Sequence, residues 1–138
     1  MESRMLKLLI AVVLANFSGA ASRPLDYASA YQESQQTDKP LMVIVSAQWC
    51  PACHTLKDTT IKDLEASGQL NEVNVAIVDR DVEPELASKL MRGQMVPQII
   101  MFSKSTSGHW ERSQLTGYQP QGPVRQLIRA AVSAVRRG

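Results

Sequence analysis

The chain of 138 residues holds only two cysteines and two histidines. Two cysteines cannot build a disulfide-rich scaffold. A closed Cys2His2 zinc site would consume all four of Cys50, Cys53, His54 and His109. An excess of one charge is also missing. Fifteen basic side chains against thirteen acidic ones leave +2, too even a balance to point to nucleic acid or another polyanion. There is no internal repeat and no low-complexity tract. No apolar run reaches the ~20 residues of a spanning helix. What is present is ordinary globular material. Hydrophobic residues at 44% and charged residues at 20% place the chain far from the disordered class. The length fits one domain with a short appendage.

The appendage is at the front. Arg4 and Lys7 precede the apolar run Leu8 to Ala15, and Ser18-Gly19-Ala20-Ala21 supplies small residues for cleavage after Ala20 or Ala21. This is the pattern of a secretory signal. The expected division is a signal peptide over residues 1–22 and one domain over 23–138. The chain is expected to be periplasmic or secreted, with no stable membrane insertion once the signal is removed. In such compartments disulfides persist.

The pattern then alternates between helix and strand. Residues 25–35 carry Leu25, Ala28 and Tyr31 on one helical face, and Pro40 closes that segment. Residues 41–47 form a continuous apolar run of strand length, as in a strand buried on both faces. Residues 53–67 suit a helix with Leu56, Thr60 and Leu64 in line, and Gly68 suits its stop. Residues 73–79 read as a strand. A helix with Pro84 in its first turn follows, and Leu86, Ala87, Leu90 and Met91 form its apolar face. Residues 98–102 and 109–115 make a hairpin across a Ser-, Thr- and Gly-rich turn. Residues 121–136 form the most regular amphipathic helix, with Val124, Leu127, Ile128, Ala131, Val132 and Val135 at helical spacing. The order α-β-α-β-α-β-β-α gives an α/β fold. It predicts a mixed four-stranded sheet with helices on both faces.

The chemistry lies in Cys50-Pro51-Ala52-Cys53, directly after the buried strand and at a helix start. The first N–H groups of a helix have no intrahelical partners. With the positive end of the dipole they favour a thiolate, and such positions lower a cysteine pKa to ~3.5–7.5. Pro51 suits the first helical position because it has no N–H to satisfy. His54, when protonated, would favour the thiolate further. Cys53, one turn in, is the natural resolving thiol.

With these residues the chain resembles the thioredoxin superfamily. The resemblance rests on Trp49-Cys50-Pro51-Ala52-Cys53, the apolar strand before them, Val96-Pro97 before the third strand, and Gly117 ahead of the last helix. It spans about residues 25–135. Lys39-Pro40 after a Tyr- and Ala-containing helix is most similar to exported members, among them the periplasmic C-terminal domain of the thiol:disulfide interchange reductase. The resemblance implies the thioredoxin-like fold, with Pro97 cis and close to the sulfurs. It implies that Trp49, Val96 and Pro97 form the surface where a substrate chain docks. It implies catalysis by Cys50 and Cys53, modulated by Pro51 and His54, with no cofactor beyond the Cys50–Cys53 disulfide and no metal. The partners would be protein thiols or disulfides and a recycling redox partner, with no nucleic acid. One position departs from thioredoxins proper. Ile44 stands where they carry a buried acidic residue, six positions before the first cysteine.

The same cysteines admit other readings. Cys50, Cys53 and His54 match the c-type haem attachment motif, and soft thiolates also suit a metal carrier. A purely structural disulfide is the plainest alternative. The strand-like runs favour the redox-active dithiol. Met91, Met95 and Met101 read as packing residues, Trp110 as part of an edge strand, and the arginines of the last helix as a solvated face.

Overall fold

The computed structural model describes residues 26–136. The expected signal, Leu25 and Arg137 lie outside the described residues. Helix α1 (Tyr27–Thr37) leads into strand β1 (Leu41–Ser46). Helix α2 (Pro51–Thr55) runs on through a π-helical turn (Leu56–Ile61) into helix α3 (Lys62–Ala66). A 3-10 turn (Gln69–Glu72) precedes strand β2 (Asn74–Asp79), and helix α4 (Pro84–Leu90) follows. Strands β3 (Gln98–Lys104) and β4 (Trp110–Thr116) and helix α5 (Gln121–Arg136) complete the chain.

The sheet order is β2-β1-β3-β4. Strand β1 pairs in parallel with β2, Leu41 opposite Asn74, and antiparallel with β3, Leu41 opposite Phe102. β3 and β4 form the antiparallel hairpin. Every residue of β1 is buried, because it has a strand on each side and a layer on each face. Alternation sorts its side chains. Met42 and Ile44 face the cluster of Leu56, Ile61, Leu64, Val124 and Ile128. Leu41, Val43 and Val45 face the cluster of Ala30, Ala87 and Leu90. Helices α1 and α4 therefore cover one face, and the α2–α3 helix and α5 cover the other. The expected mixed four-stranded α/β sheet is present.

Two local expectations are corrected. Helix α1 buries Ala30 and Ser34, while Ala28 is exposed and Tyr31 is 46% exposed. Small residues let this helix lie close against the sheet, so its inward face is not its most apolar one. It ends at Asp38, whose φ of 58° and N–H bond to the Ser34 carbonyl form a left-handed cap two residues before Pro40. The second helix begins at Pro51, the first helical position expected for that proline, and the Cys50 side chain caps it. Met95 is 62% exposed, whereas Met101 is buried and Met91 packs against the core. Among the described residues no helix is long and apolar enough to cross a membrane.

Candidate active site

The buried strand β1 ends at Ser46, and the chain turns through residues 47–49 to reach the helix. The turn is closed by the Cys50 N–H donating to the Ala47 carbonyl at 3.2 Å. Cys50 is extended (φ −97°, ψ 104°) and occupies the N-cap of α2. Its Sγ accepts the Cys53 N–H at 3.1 Å. One of the unpaired donors at this helix start is thus aimed at the sulfur. Cys50 and Cys53 are joined as a disulfide, with their Cα atoms 5.3 Å apart. Cys50 retains 4% exposure and Cys53 none. Ala47 and Val96 pack against the pair.

The Val96–Pro97 bond is cis, as the resemblance implies. The Val96 carbonyl oxygen lies 3.8 Å from Cys50 Sγ. Pro97 is buried, and its carbonyl accepts the Gly117 N–H at 2.8 Å. Gly117 adopts φ 85°, a conformation open to glycine at no steric cost. This bond joins the two ends of the β3–β4 hairpin.

Trp49 is 63% exposed, yet its ring is anchored. Nε1 donates to Asp81 Oδ2 at 2.8 Å. Asp81 is itself fixed by the end of β2, where Asp79 Oδ1 accepts the Asp81 and Val82 N–H groups at 2.8 and 3.1 Å. Exposed apolar side chains of Trp49, Val82, Met95 and Tyr118 sit on the loops at this end of the sheet. His54 is exposed, and its Nε2 donates to the Gln48 carbonyl at 2.7 Å. The imidazole ties the first helical turn to the loop before it. Pro51 stands at the first helical position.

All the residues singled out in the sequence therefore come together: Trp49, Cys50, Pro51, Cys53 and His54 on one turn, with Val96 and Pro97 across from it. Ile44 is fully buried among Leu56 and Leu64, so the departure from the thioredoxin pattern is filled by apolar packing. Lys57, one turn beyond Cys53 and half-buried, donates to Ser46 Oγ at 3.5 Å. Asp81, Lys57 and Gln98 were missed. For Gln98 a signal existed, since a polar residue interrupts an apolar strand immediately after the proline. Asp81 offered none, because its partner lies 32 residues away. Among the described residues, no group of three or more His, Cys, Asp or Glu side chains is placed to hold a metal ion.

A thioredoxin-like family model matches residues 21–104, more than half of the chain. The chain belongs to the thioredoxin-like family. It is 34% identical over 92 residues to the thioredoxin of Alicyclobacillus acidocaldarius subsp. acidocaldarius, a match covering 66% of this chain and 80% of that protein. Among solved structures it is similar to a thioredoxin from Thermus thermophilus, with a TM-score of 0.67 at 24% identity, over 80% of this chain and 86% of that one. The thioredoxin of Trypanosoma brucei brucei gives a TM-score of 0.63 at 23% identity, over 84% and 96%. These likenesses show the thioredoxin-like fold. With the Cys50–Cys53 pair on that fold, the protein is a thiol–disulfide oxidoreductase. Thioredoxin-like proteins need no bound cofactor, because the redox-active disulfide carries the electrons. They act in general on protein disulfides and are recycled by reductase partners.

Proposed function

We propose that this thioredoxin-like protein is exported and exchanges disulfides with protein substrates, Cys50 acting as the nucleophile and Cys53 as the resolving thiol. The observation that carries the assignment is the position of Cys50 at the N-cap, where its Sγ accepts the Cys53 N–H. In the reducing direction the Cys50 thiolate attacks a substrate disulfide. A Cys50–substrate disulfide forms, and one substrate sulfur leaves as a thiolate and takes up a proton. Cys53 then gives up its proton and attacks the Cys50 sulfur, releasing the second substrate thiolate. Two electrons have passed to the substrate, and the Cys50–Cys53 disulfide has been restored. In the oxidising direction every step reverses. A separate dithiol or disulfide partner resets the enzyme.

Trp49, Val96 and Pro97 are assigned to the docking surface. Trp49 is the exposed ring beside Cys50, and the Val96 carbonyl lies over the sulfur. Pro51 and His54 are assigned to tuning Cys50, through the helix start and the tie to Gln48. Export is supported by the basic start, apolar run and small-residue stretch within residues 1–22. It is also supported by the resemblance to periplasmic domains. A periplasmic or secreted location follows from the same features.

Trapping in cells tests the mechanism. Cys53→Ser should accumulate mixed disulfides between Cys50 and substrate proteins, and Cys50→Ser should accumulate none. Equal trapping by both variants would sink the two-step assignment. Fractionation of the same cells, with the N-terminus of the recovered protein sequenced, tests export. A full-length chain found only in the cytoplasm would overturn it. The reduction potential of the pair, set against its compartment, fixes the direction of electron flow.

A further inference from the structure

Gln98 is the first residue of β3 and is fully buried. A buried primary amide must spend two donors and an acceptor, and here all of them go to one loop. Nε2 donates to the carbonyls of Arg92 at 2.9 Å, Met95 at 3.0 Å and, more weakly, Gly93 at 3.3 Å. Oε1 accepts the Arg92 N–H at 3.2 Å. The loop between α4 and β3 has no ladder or helix of its own to pair these backbone groups, which are costly to leave unmet. Gln98 therefore does for residues 92, 93 and 95 what secondary structure does elsewhere, while Arg80 holds Gln94 through its carbonyl at 2.8 Å and its Oε1 at 3.4 Å.

The neighbouring strand adds to the mount. Gln98, Ile100 and Phe102 alternate onto one face of β3, opposite Thr116, Gln114 and Arg112 of β4. Gln114 Nε2 donates to the Arg92 carbonyl at 3.3 Å, and Arg112 Nη2 donates to the Leu90 carbonyl. The loop is thus bolted at its start and middle to polar side chains of two strands. Its last residue before the proline is Val96, whose carbonyl faces Cys50 Sγ.

We propose that Gln98 is a positioning residue of the dithiol site: by clamping residues 92–95 it holds the Val96 carbonyl over the Cys50 sulfur and keeps the docking edge in place. This rests on the dithiol reading given above. Two consequences follow. The carbonyl oxygen is the negative end of a peptide dipole, and in the reduced enzyme it can accept the Cys50 S–H. Both effects favour the thiol and oppose the helix N-terminus. Substrate backbone that docks beside Val96 meets an edge already in position, so little ordering is left for the moment of binding.

The test uses Gln98→Met, which keeps the length of the side chain and removes its hydrogen bonds. Amide exchange at residues 92–96 should speed up. The Cys50 pKa, followed by thiolate absorbance, should fall. The KM for a peptide carrying one disulfide should rise roughly tenfold with kcat little changed, within the ~100-fold that a 1 Å misplacement can cost. Unchanged exchange would overturn the clamp. Faster exchange with an unmoved or raised Cys50 pKa, or with an unmoved KM, would reduce Gln98 to a structural residue. Should Gln98→Met fail to fold, Gln114→Leu removes one bolt only, and the same three changes are expected at smaller size. Wild-type values for any of them there overturn the proposal. Failure of the wild-type protein to exchange a disulfide at all would instead count against the proposed function.

Discussion

Limited alkylation of the reduced protein should mark Cys50 before Cys53, and the margin can be worked from the geometry. The Cys53 N–H aimed at Cys50 Sγ is worth about 1.5 kcal/mol to a thiolate there, roughly a tenfold gain in ionisation over a thiol without such a donor. The Val96 carbonyl acts in the opposite sense. Burial disfavours ionisation of Cys53. The more acidic thiol is the weaker nucleophile, and a Brønsted slope of about 0.4–0.5 takes back roughly threefold. Ionisation alone thus leaves Cys50 about threefold ahead. Access supplies the rest, since Cys53 has no exposed surface. The assay is a substoichiometric pulse of iodoacetamide followed by peptide mass spectrometry. Once the pH is high enough to ionise both thiols this advantage is gone, so the preference should shrink roughly tenfold from its value near neutrality. A first adduct on Cys53 would refute the assignment of the nucleophile. A preference that does not change with pH would refute the ionisation argument and leave only access.

Other perturbations have equally definite expectations. Asp81→Ala removes the acceptor that fixes the Trp49 indole at 2.8 Å. In a Trp110→Phe background the fluorescence anisotropy of Trp49 should drop, and unchanged anisotropy would show that the bond does not hold the ring. Leu64→Ala cuts a fully buried side chain out of the cluster between the α2–α3 helix and the sheet. A cost of about 2–5 kcal/mol is expected in a denaturant melt, and a cost under about 1 kcal/mol would mean that the site collapses to fill itself. The Asp26 carboxyl caps α1, and the Ser29 backbone and hydroxyl hydrogen bonds hold its pKa below the ordinary aspartate value. Its contribution to stability is therefore present above the unfolded-state pKa and is lost as pH falls through the folded one. Asp26→Ala should lower Tm at neutral pH and converge with wild type in strong acid. A constant gap across that range would show that the cap acts without its charge.

The residues that were easy to read in the sequence are those whose pattern is local. The all-apolar β1 run announces a central strand because only a strand covered on both faces can bury successive residues. Helix α5 shows its face over four turns. Cys50 and Pro51 mark a helix start by their own chemistry. Helix α1 was read wrongly on its face because small residues, Ala30 and Ser34, do the docking. Hydrophobicity does not register a close approach. The Trp49–Asp81 bond and the Gln98 clamp depend on where distant or irregular segments come to rest, and nothing in their local sequence encodes that. The widening of the helix after the dithiol was equally silent, since Leu56, Thr60 and Leu64 would be in line in an α-helix too.

That π-helical turn, Leu56–Ile61, makes the chain locally elastic in length. A π-helical turn inside an α-helix holds one residue more than the α-helix needs for the same rise. It is therefore a place where a single residue can be lost with the register kept on both sides: Cys50 and Cys53 before it, and Leu64 with its cluster after it. A deletion of one residue elsewhere in the α2–α3 helix would turn everything beyond it by about 100° and carry the buried stripe to the surface. Taking out Thr59, whose side chain is exposed and donates to the Thr55 carbonyl, would let the turn relax to α-helix. For comparison with relatives, residues upstream and downstream of this turn need separate alignment offsets, one residue apart, wherever the relative has an unbroken α-helix.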